Sequence, residues 1–294
     1  MNLCDIKTVK NLLKRYSTDT KKGFGQNFLI NQSIPHDIAK ESFNYHTSVC
    51  DSACVLEIGP GVGALTSELC QRYDKVVAVE IDKSLIPILS ETMADFDNLT
   101  IVNDDFLKIE LDSFLDEHFG SESVSVCANL PYYITTPIIM KILESGKGRF
   151  TSITVMVQKE VADRLCATSR DSEYGAITAS INYYGRVSRL FDVAPDNFLP
   201  PPSVTSSVIR IELFKECPYF VSDEKTLFEV ISGAFAQRRK TLLNSLSSSI
   251  SWVSKARLAE VIEECGFELT IRGERLSIEE LCALANKLYE EKIK

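Results

Sequence analysis

The chain has 294 residues, 45% of them hydrophobic, which is enough for a real core and for two domains rather than one. No run approaches the roughly 18 apolar residues of a membrane span, and the opening MNLCDIKTVKNLLKRY is too polar and too broken for a secretory signal. A soluble, cytoplasmic protein is therefore expected, and nothing in the sequence demands more than a monomer. The net charge of −9 argues against indiscriminate binding to nucleic acid, so any such binding has to rest on local basic patches.

Near the start, Ile6, Val9, Leu13 and Tyr16 recur at helical spacing and predict a short amphipathic helix over residues 5–16. Residues 1–25 are locally basic, with Lys7, Lys10, Lys14, Arg15, Lys21 and Lys22 against Asp5 and Asp19. The glycines and lysines of Lys21-Lys22-Gly23-Phe24-Gly25-Gln26-Asn27-Phe28-Leu29 predict a loop. From residue 54 short apolar runs alternate with helical stretches. Strands are expected at 54–58, 76–79, 99–102, 124–128 and 153–157, with helices such as 65–73 and 84–93 between them. This alternation predicts an α/β fold, a parallel sheet with helices on both faces. Residues 186–193 and 206–213 read as a strand pair around Pro200-Pro201-Pro202, with Ile209, Ile211 and Leu213 alternating with polar residues.

Beyond Lys215-Glu216-Cys217-Pro218 the pattern is helical. Phe228, Ile231, Phe235, Leu242 and Leu246 keep one face, and Leu258, Val261, Ile262 and Cys265 another, stopped by Gly266. Ser277-Ile278-Glu279-Glu280 is a capping box that opens a last helix. A domain boundary is expected between 1–213 and 214–294. The nine cysteines are scattered, without a C-x-x-C pair, and the three histidines share no metal-like spacing, so neither a metal site nor a disulfide framework is expected.

The polar residues of interest stand at the carboxyl ends of successive strands, where open α/β sheets bind ligands. Gly59-Pro60-Gly61-Val62-Gly63-Ala64 is a glycine-rich turn between strand and helix, and Glu80 follows Gly59 by 21 residues, where a ribose-binding acid belongs. That spacing suits NAD and S-adenosylmethionine alike. Glu57 before the glycines, Asp105 after the third strand and Asn129 after the fourth favour S-adenosylmethionine, and no histidine is placed to handle a hydride. Asn129-Leu130-Pro131-Tyr132 suits the holding of a base amine: a side-chain and a main-chain oxygen to accept its two N–H bonds, a stiffened turn, and an aromatic face for stacking.

These segments resemble the ribosomal RNA adenine N6-dimethyltransferases, and the bacterial small-subunit (16S) type most of all. The resemblance is carried by Lys22–Leu29, Glu57–Gly63, Val79–Asp82, Asp105, Asn129–Ile134, Met156–Ala162, Tyr174-Gly175, Phe198–Pro202, Phe235–Leu242 and Arg272–Leu276. It implies a Rossmann-like class I methyltransferase domain, mostly parallel with an antiparallel last strand, and a smaller all-α C-terminal domain that binds rRNA. It implies S-adenosylmethionine as cofactor, with Gln26, Asn27 and Leu29 lining its site, Gly59 and Gly61 near its amino-acid part, Glu80 on the ribose and Asp105 on the adenine. Asn129 would lie between cofactor and target amine, Leu130 would supply a carbonyl, and Tyr132 would stack on the flipped base. The implied reaction dimethylates two adjacent adenosines in a hairpin near the 3′ end of 16S rRNA, within the 30S subunit late in its assembly. Lys21, Lys22, Arg238, Arg239 and Lys240 are the expected phosphate contacts. Phe106 and Asp104 depart from the small residue and the Gly or Gln usual around the third-strand acid. The rival readings are a large-subunit rRNA methyltransferase of the macrolide-resistance type, an NAD-dependent oxidoreductase, and a mainly non-catalytic 30S assembly factor.

Overall fold

The computed structural model describes residues 1–18, 26–146, 148–169 and 171–293. Lys21 and Lys22 lie outside the described residues. The chain divides into two compact units, residues 1–162 with 186–215 and residues 163–185 with 216–294.

The first unit is built on seven strands: β1 Cys54–Ile58, β2 Lys75–Val79, β3 Leu99–Val102, β4 Val124–Asn129, β5 Phe150–Gln158, β6 Gly185–Val193 and β7 Ser206–Leu213. Their order in the sheet is β3-β2-β1-β4-β5-β7-β6. β1 to β5 are parallel, and β7 runs antiparallel to β5, with Ile153 opposite Ile211. β1 is buried at all five positions, as expected of a parallel strand covered by helices on both faces. Val55, Leu69, Val76, Cys127, Met156 and Val208 belong to one hydrophobic cluster with Ile38 of the Ser33–Val49 helix. The order reverses between β1 and β4, and such a switch opens a crevice at the strands' carboxyl ends.

Residues 26–29 do not remain a loop throughout. Phe28 and Leu29 pair antiparallel with Leu199 and Phe198, and the Ile30 amide donates to the Asn197 carbonyl at 2.9 Å. This two-residue ribbon fixes the N-terminal segment next to the glycine turn.

The second unit is helical. It contains the helices Ala176–Tyr184, Glu224–Phe235, Leu242–Ser249, Lys255–Glu264 and Ile278–Lys292. Two features differ from the sequence expectation. Residues 163–185 belong here rather than to a contiguous 1–213 domain, because Tyr174, Ala179 and Tyr183 are buried in one cluster with Leu227, Ile231 and Leu288. The apolar face through Phe228 and Leu246 is two helices, not one. The first ends at Phe235, and Thr241 caps the second by accepting from the Asn244 amide. Arg238, Arg239 and Lys240 therefore sit in a turn, and all three are exposed. No helix among the described residues is long and apolar enough to cross a membrane. No cluster among them could hold a metal.

Candidate active site

The glycine turn leaves β1 with Gly59, Gly61 and Gly63 at φ of 72°, 63° and 94°, all in the left-handed region that disfavours a side chain. Gly61 is also crowded, since a Cβ there would stand 3.3 Å from Cε1 of Phe28. A carboxylate holds the turn in place. Glu80, just beyond β2, accepts from the Gly61 amide at 3.1 Å through Oε2 and from the Asp82 amide at 2.8 Å through Oε1. Glu80 is buried. Burial raises its pKa, and the Asp82 and Gly61 amides oppose that rise. Each carboxylate oxygen has a second lone pair, so Glu80 can still accept from a ligand diol.

A cleft forms where this turn meets the end of β4. Its walls include Gln26, Asn27, Leu29, Gly59, Gly61, Glu80, Asn129, Leu130 and Tyr132. Nine of the ten residues expected at the cofactor and target positions thus meet in one place. Asp105 is the exception. It is not among the residues lining the cleft; its carboxylate accepts from the Leu107 amide at 3.1 Å and lies 3.5 Å from Lys108 Nζ.

At the end of β4 the Asn129 side chain donates from Nδ2 to the Asn27 carbonyl at 3.2 Å. Only the NH2 end of the amide can make that bond, so Oδ1 is left as an acceptor, and no described donor reaches it. The Leu130 amide donates to the Met156 carbonyl at 3.3 Å, and no described donor reaches the Leu130 carbonyl. Pro131 closes the turn by accepting from Ile134 N and Thr135 Oγ1, each at 3.2 Å. The Tyr132 hydroxyl lies 2.7 Å from Ser206 Oγ of β7, which locks the ring's tilt. Burial raises the Tyr132 pKa, and the Ser206 bond opposes it.

The cleft has further members beyond these. Glu57 lines it, 1% exposed; the acid before the glycines is legible as a motif, but its burial is not. Ile81 and Tyr133 line it as exposed apolar groups, at 46% and 58%. Asp82 holds Gln26, whose Nε2 donates to Oδ2 at 3.0 Å.

The second unit carries a separate cationic hollow. Arg238, Arg239, Arg272 and Arg275 line it together with Asp171, Ser172 and Glu274. Gly273 makes this possible, since a Cβ there would fall 2.4 Å from the Ala234 carbonyl oxygen. Glycine alone lets residues 272–275 press against the end of the Glu224–Phe235 helix. Arg238 bonds the Ser172 carbonyl and lies 3.6 Å from Glu274. Lys240 is exposed outside this hollow. In the sequence, Arg272 and Arg275 are legible only as part of a motif.

A family model described as ribosomal RNA adenine dimethylase matches residues 17–288. The chain is 43% identical to the ribosomal RNA small subunit methyltransferase A of Alkaliphilus oremlandii, over 97% of both chains. It is 44% identical to the protein of the same name from Lachnoclostridium phytofermentans, over 99% of both. Among solved structures, a dimethyladenosine transferase from Plasmodium falciparum superposes with a TM-score of 0.72 at 25% identity, covering 90% of this chain and 98% of that one. The 23S rRNA methyltransferase ErmE shares the fold with a TM-score of 0.67 at 23% identity, covering 90% of this chain and all of that one.

Proposed function

This chain belongs to the ribosomal RNA adenine dimethylase family, and from that premise we propose that it transfers methyl groups from S-adenosylmethionine to N6 of two adjacent adenosines near the 3′ end of 16S rRNA, as a monomer acting on the 30S subunit. The cleft fits such a cofactor. It offers a close-approach glycine turn, a buried acid at ribose distance along the chain, and an unpartnered buried carboxylate oxygen on Glu57.

S-adenosylmethionine supplies a methyl group already activated by a positive sulfur. What remains for the protein is to position an amine and exclude water. The lone pair of adenine N6 is delocalised into the ring, and the nitrogen becomes cationic as it attacks. Asn129 Oδ1 and the Leu130 carbonyl are the acceptors for its two N–H bonds, and they stabilise the developing charge more than the ground state. The proton leaves after attack, so no general base has to act first. The ring of Tyr132, held through its hydroxyl by Ser206, offers a face to the flipped base. Gln26, Asn27, Leu29, Gly59, Gly61 and Glu80 hold the cofactor. Asp105 accepts from the Leu107 amide through Oδ1 and keeps further lone pairs with which to accept the amino group of the cofactor's adenine. Arg238, Arg239 and Lys240 contact phosphates, joined by Arg272 and Arg275.

The observation that carries the reading is the commitment of Asn129 Nδ2 to Asn27, which leaves an acceptor where the amine has to sit. The test is transfer of labelled methyl to 30S particles from cells lacking this modification, followed by nucleoside analysis. N6,N6-dimethyladenosine in 16S rRNA is the expected product. Transfer to large-subunit rRNA instead would move the chain to the other branch of the family. A catalytically dead chain that alone restored all 30S assembly defects would make methylation secondary.

A further inference from the structure

Part of the basic opening of the chain is gathered on one surface. Lys7, Lys10 and Lys14 belong to the Ile6–Arg15 helix and are all exposed, with exposed Asn11 among them. At 3.6 residues per turn the three lysines fall within about 60° of one another, roughly opposite the buried Val9, Leu12 and Leu13. They span about 10 Å along the helix axis.

These lysines form no ion pair among the described residues. Asp5 lies near enough to Lys7 to feel its charge, but its carboxylate is committed to Thr8, accepting from the amide at 2.8 Å and from Oγ1 at 2.9 Å. Glu91 is occupied by Arg15 and by the Tyr16 hydroxyl, at 2.5 and 2.6 Å. The acids at either end of the helix are thus engaged elsewhere, and the lysine face is left to solvent.

The face is also fixed in position. Val9, Leu12 and Leu13 pack in one cluster with Phe28, Val62 and Leu85, and those last three residues line the cleft. The Glu91 bonds tie the end of the helix to the Ile86–Thr92 helix. Cations on such a helix keep a set distance from the site of transfer, within the same unit of the chain.

We propose that this lysine face binds the phosphate backbone of the rRNA beside the target hairpin, so that the catalytic unit grips its substrate directly and not through the helical unit alone. This deepens the rRNA methyltransferase reading and rests on it. Three unpaired cations in a row, on a chain with a net charge of −9, are the complement of a polyanion. An anionic bilayer is the poorer fit, since the apolar face that would enter it is buried in the core. Ammonium groups on flexible stems follow phosphates, so the contact adds affinity and register without reading bases.

The experiment compares the full chain with the combined Lys7→Gln, Lys10→Gln, Lys14→Gln variant in binding to 30S particles that lack the modification, from about 50 to about 200 mM salt. Three phosphate contacts contribute roughly 2.1–2.7 to the slope of log affinity against log salt, so over that range the wild type should lose about 20–40-fold more affinity than the variant. The variant's KM for 30S particles should rise while its Kd for S-adenosylmethionine stays the same. Lys7→Arg, Lys10→Arg and Lys14→Arg together should keep the wild-type slope, because only the charge is required. An unchanged slope in the glutamine variant, with a wild type that still methylates, overturns the proposal and leaves the rRNA reading standing. So does a cofactor Kd that rises as far as the KM, which would make the helix a support for the cleft. Binding of the wild type, but not the variant, to vesicles of phosphatidylserine and phosphatidylcholine, with no difference on 30S particles, assigns the face to a membrane instead. A wild type that neither binds nor methylates 30S particles overturns both readings.

Discussion

Replacing Asn129 with alanine separates two jobs that one amide performs. Its Nδ2 tethers the Asn27 carbonyl at 3.2 Å, and its Oδ1 is the proposed acceptor for the target amine. Removing one preorganised electrostatic partner from a reacting centre costs about 2.7–4 kcal/mol, or roughly 10²–10³-fold in kcat. Losing one neutral hydrogen bond to the 26–29 segment costs about 1 kcal/mol, roughly fivefold in cofactor affinity. Asn129→Ala should therefore lower single-turnover methyl transfer about a hundredfold or more while the cofactor Kd rises by less than about tenfold. Asn129→Asp should do the opposite. It keeps an acceptor for the amine but turns an oxygen toward the Asn27 carbonyl, so it should lose more cofactor affinity than alanine and retain more turnover. Single-turnover transfer to 30S particles and calorimetric Kd values read both effects. Turnover of Asn129→Ala within a few-fold of wild type would refute the acceptor role. A Kd that rises as much as turnover falls would reduce Asn129 to a prop for residues 26–29.

Gly61→Ala meets both a left-handed φ of 63° and the Phe28 ring at 3.3 Å, so it should lose about 1–2 kcal/mol in denaturant unfolding and bind cofactor more weakly; an unchanged midpoint and Kd would contradict this. Lys141 donates to the Leu107 and Ile109 carbonyls at 2.9 and 2.5 Å, and Lys141→Met should lower the thermal midpoint by about 2–4 °C through the loosened loop. His46 is buried between Ser52 and Thr151, donating from Nε2 and accepting at Nδ1, and burial lowers its pKa. The folded state thus binds this proton less readily than the unfolded one. The contribution is complete above about pH 6.5 and is lost as pH falls through the folded value. Urea midpoints from pH 7.5 to 5 should fall for wild type, and an equal fall in His46→Gln would place the titration elsewhere. Neutralising Arg238, Arg239 and Lys240 should reduce the salt slope of RNA binding by roughly 0.7–0.9 for each phosphate they neutralise, and an unchanged slope would remove them from the interface.

The strands were legible because each is a short apolar run ended by a residue that a strand tolerates poorly: Gly59 after β1 and Asn103 after β3. Charged and amide groups at such ends point to a ligand crevice before any coordinate is known. Three things were not legible, each for a physical reason. Residues 163–185 show no composition shift, and only the burial of Tyr183 with Leu227 and Leu288 gives them to the helical unit. Ala236-Gln237-Arg238-Arg239-Lys240 contains good helix formers, and what breaks the helix is the Thr241 cap and the close passage of Gly273 at Ala234. Asp105 stands where the spacing puts it, but the Leu107 amide and Lys108 as its local partners are not readable from the sequence. Spacing predicts which residues arrive at a strand end, not which way they turn.

The net charge of −9 and a polyanionic substrate are reconciled by where the cations are spent. Arg257 is bound by Glu260, Glu264 and Glu291, Arg210 by Glu41 and Glu212, and Arg149 by Asp116. These side chains lock local structure and offer little to a phosphate. Arg239, Lys240 and Arg275 form no ion pair among the described residues, and they cluster around one turn and one glycine of the helical unit. With the exposed Lys7, Lys10 and Lys14 of the basic N-terminal stretch, these are the places where an otherwise acidic chain offers cations to nucleic acid. Few counterions are then released on binding, so electrostatics alone gives weak affinity for arbitrary RNA. Under the proposed reaction, discrimination passes to the shape of the particle presented and to the cleft proposed to accept a flipped adenine, which is what a modification confined to two adjacent bases requires.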